Sequence, residues 1–178
     1  MLLLPGKQRV YNMATFTWHN GEVPSGLKVR QVYGLIFTRD GRMLLMAKNK
    51  PSGKVFSLAG GTPEDYDEDK VATLRRELVE EVNVTIEKPI TVGYQEVDEE
   101  NGTPAYAQFR MAAIIDEIGP RLPDPDTGDT YERFLTTPSK AIELLGWGEV
   151  GKLQIEEAFR IAKEQLGLTT FSETEEFI

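Results

Sequence analysis

Three glutamates, Glu77, Glu80 and Glu81, stand in the string Arg76-Glu77-Leu78-Val79-Glu80-Glu81-Val82-Asn83-Val84. In a helix successive residues turn by about 100°, which sets Glu80 and Glu81 at roughly −60° and +40° from Glu77. The three carboxylates then share one face. Val71, Leu74, Leu78 and Val82 fall on the neighbouring arc, at roughly +60° to +140°, so the helix packs by one side and presents acids by the other. Like charges so spaced repel by roughly a few tenths of a kcal/mol per pair, and they crowd the end of the helix where the dipole disfavours acids. A divalent cation would reverse both penalties. Hard oxygen ligands in this number suit Mg²⁺ or Mn²⁺ better than zinc. The plain alternative is a solvated acidic face, which is common on helices.

The flanking residues bear on that choice. Gly60-Gly61-Thr62-Pro63-Glu64 precedes the helix, and seven residues separate Glu68 from Arg76. Together the segment resembles the Nudix box of the Nudix hydrolase family: Gly, five residues, Glu, seven residues, then Arg-Glu-U-x-Glu-Glu-x-Gly-U, with U aliphatic. Glu68, Arg76, Glu77, Leu78, Glu80, Glu81 and Val84 match. Three positions depart. Six residues, not five, separate Gly61 from Glu68, so the loop 62–67 carries one extra residue. That bears most on Glu68, whose place Glu64 or Asp67 can take, Glu64 being preferred for its longer reach. Asn83 stands where the family has glycine, and asparagine tolerates the left-handed conformation well. Ala59 stands where the family usually has proline, which loosens the turn without removing a ligand.

The resemblance implies an α/β/α sandwich and a hydrolase acting on a nucleoside diphosphate linked to another moiety. It implies Glu77, Glu80 and Glu81 as ligands of Mg²⁺ or Mn²⁺, with Glu68 as an outer ligand and the Gly60 carbonyl as a further one. Glu77 would lie nearest the attacking water, and Arg76 would hold a box carboxylate by a charge-assisted hydrogen bond. The general base of such enzymes often comes from a loop outside the box; Glu132, Asp129 and Asp126 are the candidates here. For the phosphates, the basic N-terminal part offers Arg30, Lys48 and Lys50, along with Lys28 and Lys54. Trp18, Tyr33 and Phe37 are candidates to stack on a base, although buried aromatics are more often core. The contrasting reading is a Nudix-fold module that senses a nucleotide without cleaving it; the intact glutamates and arginine argue for catalysis.

The elements that must position these residues are legible in part. Val29 to Thr38 alternates as a strand buried on both faces. Asp40-Gly41 signals a hairpin turn, with Met43 to Ala47 as the return strand. Val55 to Ala59 runs into Gly60-Gly61. The helix is predicted over Asp69 to Val82, ended by Asn83. Strands are predicted at Thr91–Val97 and Ala105–Ile115. Asp124 to Asp129 reads as a loop; its glycine comes one place early for an EF-hand, and the twelfth position is Leu135, not Glu. Thr137 caps a short helix with Pro138 first and Gly146 past its end. Ile155, Phe159, Ala162 and Leu166 mark a final helix. This order predicts an α/β fold, a mixed sheet covered by helices on both faces.

Length and composition bound the rest. The 178 residues suit a single Nudix-like domain over 26–168, an N-terminal arm over 1–25 that lacks clear periodicity, and an acidic tail over 169–178 that frays. Met13-Ala14 reads as a second translation start. No cysteine is present, which removes disulfides, zinc-thiolate sites and thiol nucleophiles; one histidine, His19, leaves no multi-histidine metal site. No apolar run approaches the ~18 residues that span a bilayer, and Met1 to Pro5 is shorter than a signal-peptide core of roughly 7–15 residues. A cytoplasmic protein with no membrane partner is expected. Residues 1–60 hold nine Lys/Arg and two Asp/Glu, and residues 61–178 hold eleven and twenty-seven. The net charge of −9 argues against a duplex nucleic-acid partner; a homodimer is left open. The region of Asp98-Glu99 lacks the proline that the resemblance associates with ADP-ribose cleavage. Nucleoside triphosphates, diphosphosugars and dinucleoside polyphosphates all stay open as substrates.

Overall fold

Residues 14–178 are described by a computed structural model of the chain. In chain order the elements are β1 (Thr15–Asn20), β2 (Lys28–Phe37), β3 (Met43–Lys50), β4 (Gly53–Ser57), β5 (Gly60–Gly61), α1 (Lys70–Val82), β6 (Val84–Asp98), β7 (Tyr106–Ile118), β8 (Glu132–Thr136), α2 (Pro138–Leu145), α3 (Gly148–Glu164) and β9 (Glu176–Phe177). The strands join in the order β1-β6-β7-β2-β3-β8-β9, with β4 on β3 and β5 on β2. β2 and β7 run parallel, whereas β1 and β6, β2 and β3, and β6 and β7 run antiparallel, so the sheet is mixed as expected.

Alternation along β2 divides the core in two. Val32 and Ile36 face Leu74, Leu78 and Val82 of α1, while Leu35 and Phe37 face Ile155, Ala158 and Ala162 of α3 together with Ala141 and Leu145 of α2. With period-2 side chains, one strand can serve both layers only where nearly every residue is apolar, as β2 is from Val32 to Phe37. The result is the α/β/α sandwich. β2 and β3 share only the pair Phe37–Met43 beside their turn. Beyond it they diverge, and β5 takes the edge of β2 through Val32–Gly61 and Tyr33–Gly60. The glycine pair therefore sits in a split between two strands.

Four differences from the sequence reading have physical causes. Thr15–Asn20, within the arm that lacks clear periodicity, is a strand paired along β6 from Thr15–Asp98 to Asn20–Gly93; its few apolar side chains give a weak pattern, and the backbone of β6 holds it. The second-start reading at Met13 lies outside the described residues. In the tail expected to fray, Glu176 and Phe177 pair with β8, where Phe177 packs on Phe134 with ring centroids 4.6 Å apart. β6 begins at Val84, well before Thr91, with register shifts around Lys88 and Pro89 that break its alternation. β8 went unread because only five residues separate its loop from the cap of α2.

Candidate active site

The helix that carries the acids is fixed at both ends. Asp69 caps it, its side chain accepting from the Ala72 amide at 2.8 Å, and Asn83 ends it in the left-handed conformation with φ 47°. The Asn83 side chain also donates to the Pro120 carbonyl at 2.8 Å. Arg133, from β8, donates to the Val82 carbonyl at 3.1 Å and to Gly119 O at 2.7 Å. A guanidinium thus stands at the negative end of a helix with no basic residue in its own last turn. Leu74 and Leu78 are wholly buried; each such side chain contributes roughly 1.5–3 kcal/mol by leaving water.

The acids themselves converge on one guanidinium. Arg76 Nη1 donates to Glu77 Oε1 and Glu80 Oε2, both at 2.9 Å. Its Nε and Nη2 grip the two oxygens of Asp67 at 3.2 and 3.0 Å, and Nη2 also reaches the Thr62 carbonyl at 2.9 Å. Glu81 turns the other way and accepts from the Gly60 amide at 2.7 Å. Two close approaches explain the glycine pair. A Cβ on Gly60, whose φ is +143°, would come within 2.2 Å of the Val32 carbonyl; one on Gly61 would lie 2.5 Å from Glu77 Oε1.

Charge and burial set the protonation behaviour. Burial pushes the Glu81 carboxyl up to about 7, against the pull of the Gly60 amide and with help from the charges of Glu77, Asp124 and Glu80. Burial likewise raises Glu77, opposed by Arg76 and reinforced by Glu80 and Asp126. The Arg76 fork holds Asp67 down at about 2. Among the described residues no three acids or histidines already form a metal-holding cluster, because Arg76 and Gly60 hold the three glutamates apart. The donor set nevertheless fits a hard divalent cation: three half-buried carboxylates share one helix face, burial raises two of them, Glu77 and Glu81, and a single arginine stands among them.

Other expected site residues scatter. The acid opposite Arg76 is Asp67, its side chain 5% exposed, whereas Glu68 and Glu64 are exposed. The extra loop residue has shifted by one position which acid meets the arginine. Of the base candidates, Glu132 is paired with Lys54 and accepts from Asn49 at 3.3 Å; Lys54 lowers its pKa. Asp129 pairs with Lys48. Asp126, by contrast, raises Glu77 by its charge. The buried Asp124 holds that loop by accepting from the amides of Asp126 and Thr127 at 2.8 and 2.9 Å. Arg30 lies over the Tyr106 ring at 4.3 Å, and Lys50 is exposed at the end of β3. Arg30, Lys48 and Lys50 are not brought together at the glutamates. Phe37 is core, Trp18 donates to Asn20 at 2.7 Å, and His19 stacks on Tyr94 with ring centroids 4.8 Å apart.

Tyr33 is the one candidate aromatic that lines a cavity of about 610 Å³. Ser57, Leu58, Gln95, Arg110 and Trp147 line it too. Burial raises the Tyr33 phenol, opposed by the Arg110 charge and reinforced by those of Glu81 and Glu77; in the sheet Tyr33 pairs with Gly60, whose amide holds Glu81. Sequence reasoning passed over Arg110. Its signal was a lone cation inside the apolar run Ala105–Ile115.

Comparison with known proteins bears on this geometry. The family model described as the NUDIX domain matches residues 27–135, more than half of the chain. The chain belongs to the Nudix family. Among solved structures it resembles a NUDIX hydrolase from Nitrosomonas europaea, with TM-score 0.56 and 18% identity over 80% of this chain and 93% of that one. It also resembles the E. coli ORF135 protein, with TM-score 0.52 and 20% identity over 81% and 99%. A Bacillus subtilis pyrophosphohydrolase gives TM-score 0.50 and 16% identity, over 62% of this chain and 66% of that one. At these identities the likeness is one of fold. No curated protein sequence gives a significant match. Among the described residues no helix is long and apolar enough to cross a membrane.

Proposed function

We propose that this chain is a metal-dependent pyrophosphohydrolase that cleaves a diphosphate bond in a nucleoside diphosphate linked to another moiety, in the cytoplasm. The observation that carries the reading is the convergence of Glu77, Glu80 and Asp67 on Arg76, with Glu81 held by the Gly60 amide at the split between β2 and β3. Membership of the Nudix family supports it.

Glu77, Glu80 and Glu81 would hold Mg²⁺ or Mn²⁺, with the Gly60 carbonyl as a further ligand. When bound, such an ion neutralises phosphate charge and makes a coordinated water more acidic. The chain's own residues do the positioning. Arg76 sets the rotamers of Glu77 and Glu80, and Asp67 sets Arg76. We assign Glu68 no ligand role, since it is exposed and Asp67 stands in its place. Glu77 is the acid we assign nearest the attacking water. For the general base we prefer Asp126 to Glu132, because Glu132 is engaged by Lys54 while the charge of Asp126 is felt at Glu77. Arg30, Lys48 and Lys50 would meet the phosphates only at the rim.

A nucleotide panel with Mg²⁺ or Mn²⁺, read by released phosphate and pyrophosphate, tests the proposal. Turnover should appear with added metal and stop in excess chelator. Full turnover in chelator would overturn the metal requirement. Binding without turnover across the panel would make the chain a nucleotide-sensing module instead.

A further inference from the structure

Arg110 is 2% exposed, in the middle of β7. Its register places it beside Tyr33 on β2, which in turn sits beside Gly60 on β5. With strands about 4.8 Å apart, its backbone is about 10 Å from the amide that holds Glu81. A buried guanidinium ordinarily has a carboxylate partner, because taking a charge out of water is costly unless it is paired. Arg110 has none among the described residues.

Its neighbours are neutral. Nε donates to Gln154 Oε1 at 2.9 Å, Nη2 to Gln108 Oε1 at 3.2 Å, and Nη1 to the Phe109 carbonyl at 3.4 Å. A guanidinium has five N–H donors, so two are left without a protein acceptor. The Tyr33 and Trp147 rings lie 4.6 and 5.9 Å from its central carbon. Gln154 is itself locked by donating to Gln95 at 2.7 Å. Burial lowers the Arg110 pKa only to about 10, so it keeps its charge at neutral pH. A rigid ring of amides and aromatics thus holds a bare cation at the wall of the cavity. Trp147 and Val150 in its lining belong to the start of α3, whose first amides no side chain caps and whose first turn carries Glu149. Arg110 is thus the source of positive charge at a largely apolar recess.

We propose that this cavity binds an oxyanion, a phosphate or a carboxylate, carried on an apolar or planar part of the substrate other than its scissile diphosphate. The inference deepens the hydrolase reading by naming the substrate class. The acids of α1 take the diphosphate end, and Arg110 supplies the counter-charge for a second anionic group about 10 Å away. Tyr33 and Trp147 flank the scaffold that carries it. A neutral moiety in the cavity would leave the guanidinium unpaired.

The test separates this inference from the hydrolase reading by using the full chain in excess chelator, where no hydrolysis is asked of it. Phenyl phosphate, benzoate and neutral benzyl alcohol are titrated while tryptophan fluorescence and the melting temperature are followed. At least one of the two anions should bind and raise the melting temperature; benzyl alcohol at equal concentration should not. The anion that binds more tightly identifies the group as phosphate or carboxylate. Arg110→Gln should weaken anion binding at least tenfold, about 1.4 kcal/mol. Trp147→Phe should reduce the fluorescence response, because that indole lines the cavity. The inference is overturned if neither anion binds the wild type, if benzyl alcohol binds as tightly as benzoate, or if folded Arg110→Gln binds the anions as the wild type does. Should Arg110→Gln fail to fold, the contrast of charged and neutral probes on the wild type still decides. Anion binding beside a silent nucleotide panel would defeat the hydrolase reading alone; turnover without anion binding would defeat this one alone.

Discussion

Asp67→Asn and Glu68→Gln form a pair of substitutions that separates the box as spaced in sequence from the site as folded. The Asp67 side chain is 5% exposed and receives two hydrogen bonds from Arg76, at 3.2 and 3.0 Å. Hydrogen bonds to charged groups contribute about 1.5–3 kcal/mol each. Asparagine keeps one acceptor but turns a donor toward the guanidinium, so a loss of about 2 kcal/mol is expected. In a chain of this length that lowers the melting temperature by about 4–8 °C. Glu68 is exposed, and its substitution should cost within about 0.5 kcal/mol. The pH dependence adds a signature. Arg76 holds Asp67 at about 2, below its ordinary 3.8. A depressed acid stabilises the fold above its unfolded value and loses that contribution as pH falls through the folded one. The melting gap between wild type and Asp67→Asn should therefore hold from neutral pH to about 5 and close on acidification toward about 2. Turnover follows the same logic: Arg76 sets Glu77 and Glu80, and misplacing reacting groups by about 1 Å costs up to ~100-fold. Turnover assays and melting curves of both variants decide. If Glu68→Gln loses rate and metal response while Asp67→Asn behaves as wild type, the reasoning is refuted.

Two further substitutions probe the acids directly. Glu81→Gln should lower turnover at least ~100-fold, about 2.7 kcal/mol of barrier. The raised Glu81 carboxyl stabilises the metal-free fold below its ordinary 4.5 and loses that contribution as pH rises through about 7. In chelator the wild type and Glu81→Gln should therefore melt alike near pH 4.5 and separate toward pH 8, the wild type lower; parallel curves would sink the idea. Gly61→Ala would drive a methyl to 2.5 Å from Glu77 Oε1 on a backbone that alanine can adopt. It should cost roughly 10–100-fold in rate with little change in melting temperature, and near-normal turnover would count against the place assigned to Glu77.

The local features of this protein were legible without coordinates. The wheel that put Glu77, Glu80 and Glu81 on one face and Leu74, Leu78 and Val82 on the next describes α1 as it packs, with Asp69 and Asn83 ending it where their side chains are able to. The left-handed Asn83, the capped and glycine-ended α2 and the strands at β2, β3 and β7 follow from the same short-range rules, since period, cap and turn chemistry act over a few residues. Where pairing is between distant segments, the sequence is silent. β1 and β9 have too few apolar residues to announce themselves and exist because β6 and β8 offer open edges.

The site shows the same division. Which acids lie on the helix was fixed by spacing. Which acid meets Arg76 was not, because one inserted residue in a loop can be absorbed in several ways, and only packing chose Asp67 over Glu64 and Glu68. The engagement of Glu132 by Lys54, and of the Val82 carbonyl by Arg133, depends on strands that meet across the sheet. Arg110 is the clearest case. In the sequence it is a charge within an apolar run, and it becomes a bare buried cation only when β7, β2 and α3 surround it with glutamines and aromatic rings. A residue's type is local, but whether its charge is compensated is a sum over everything the fold brings within reach.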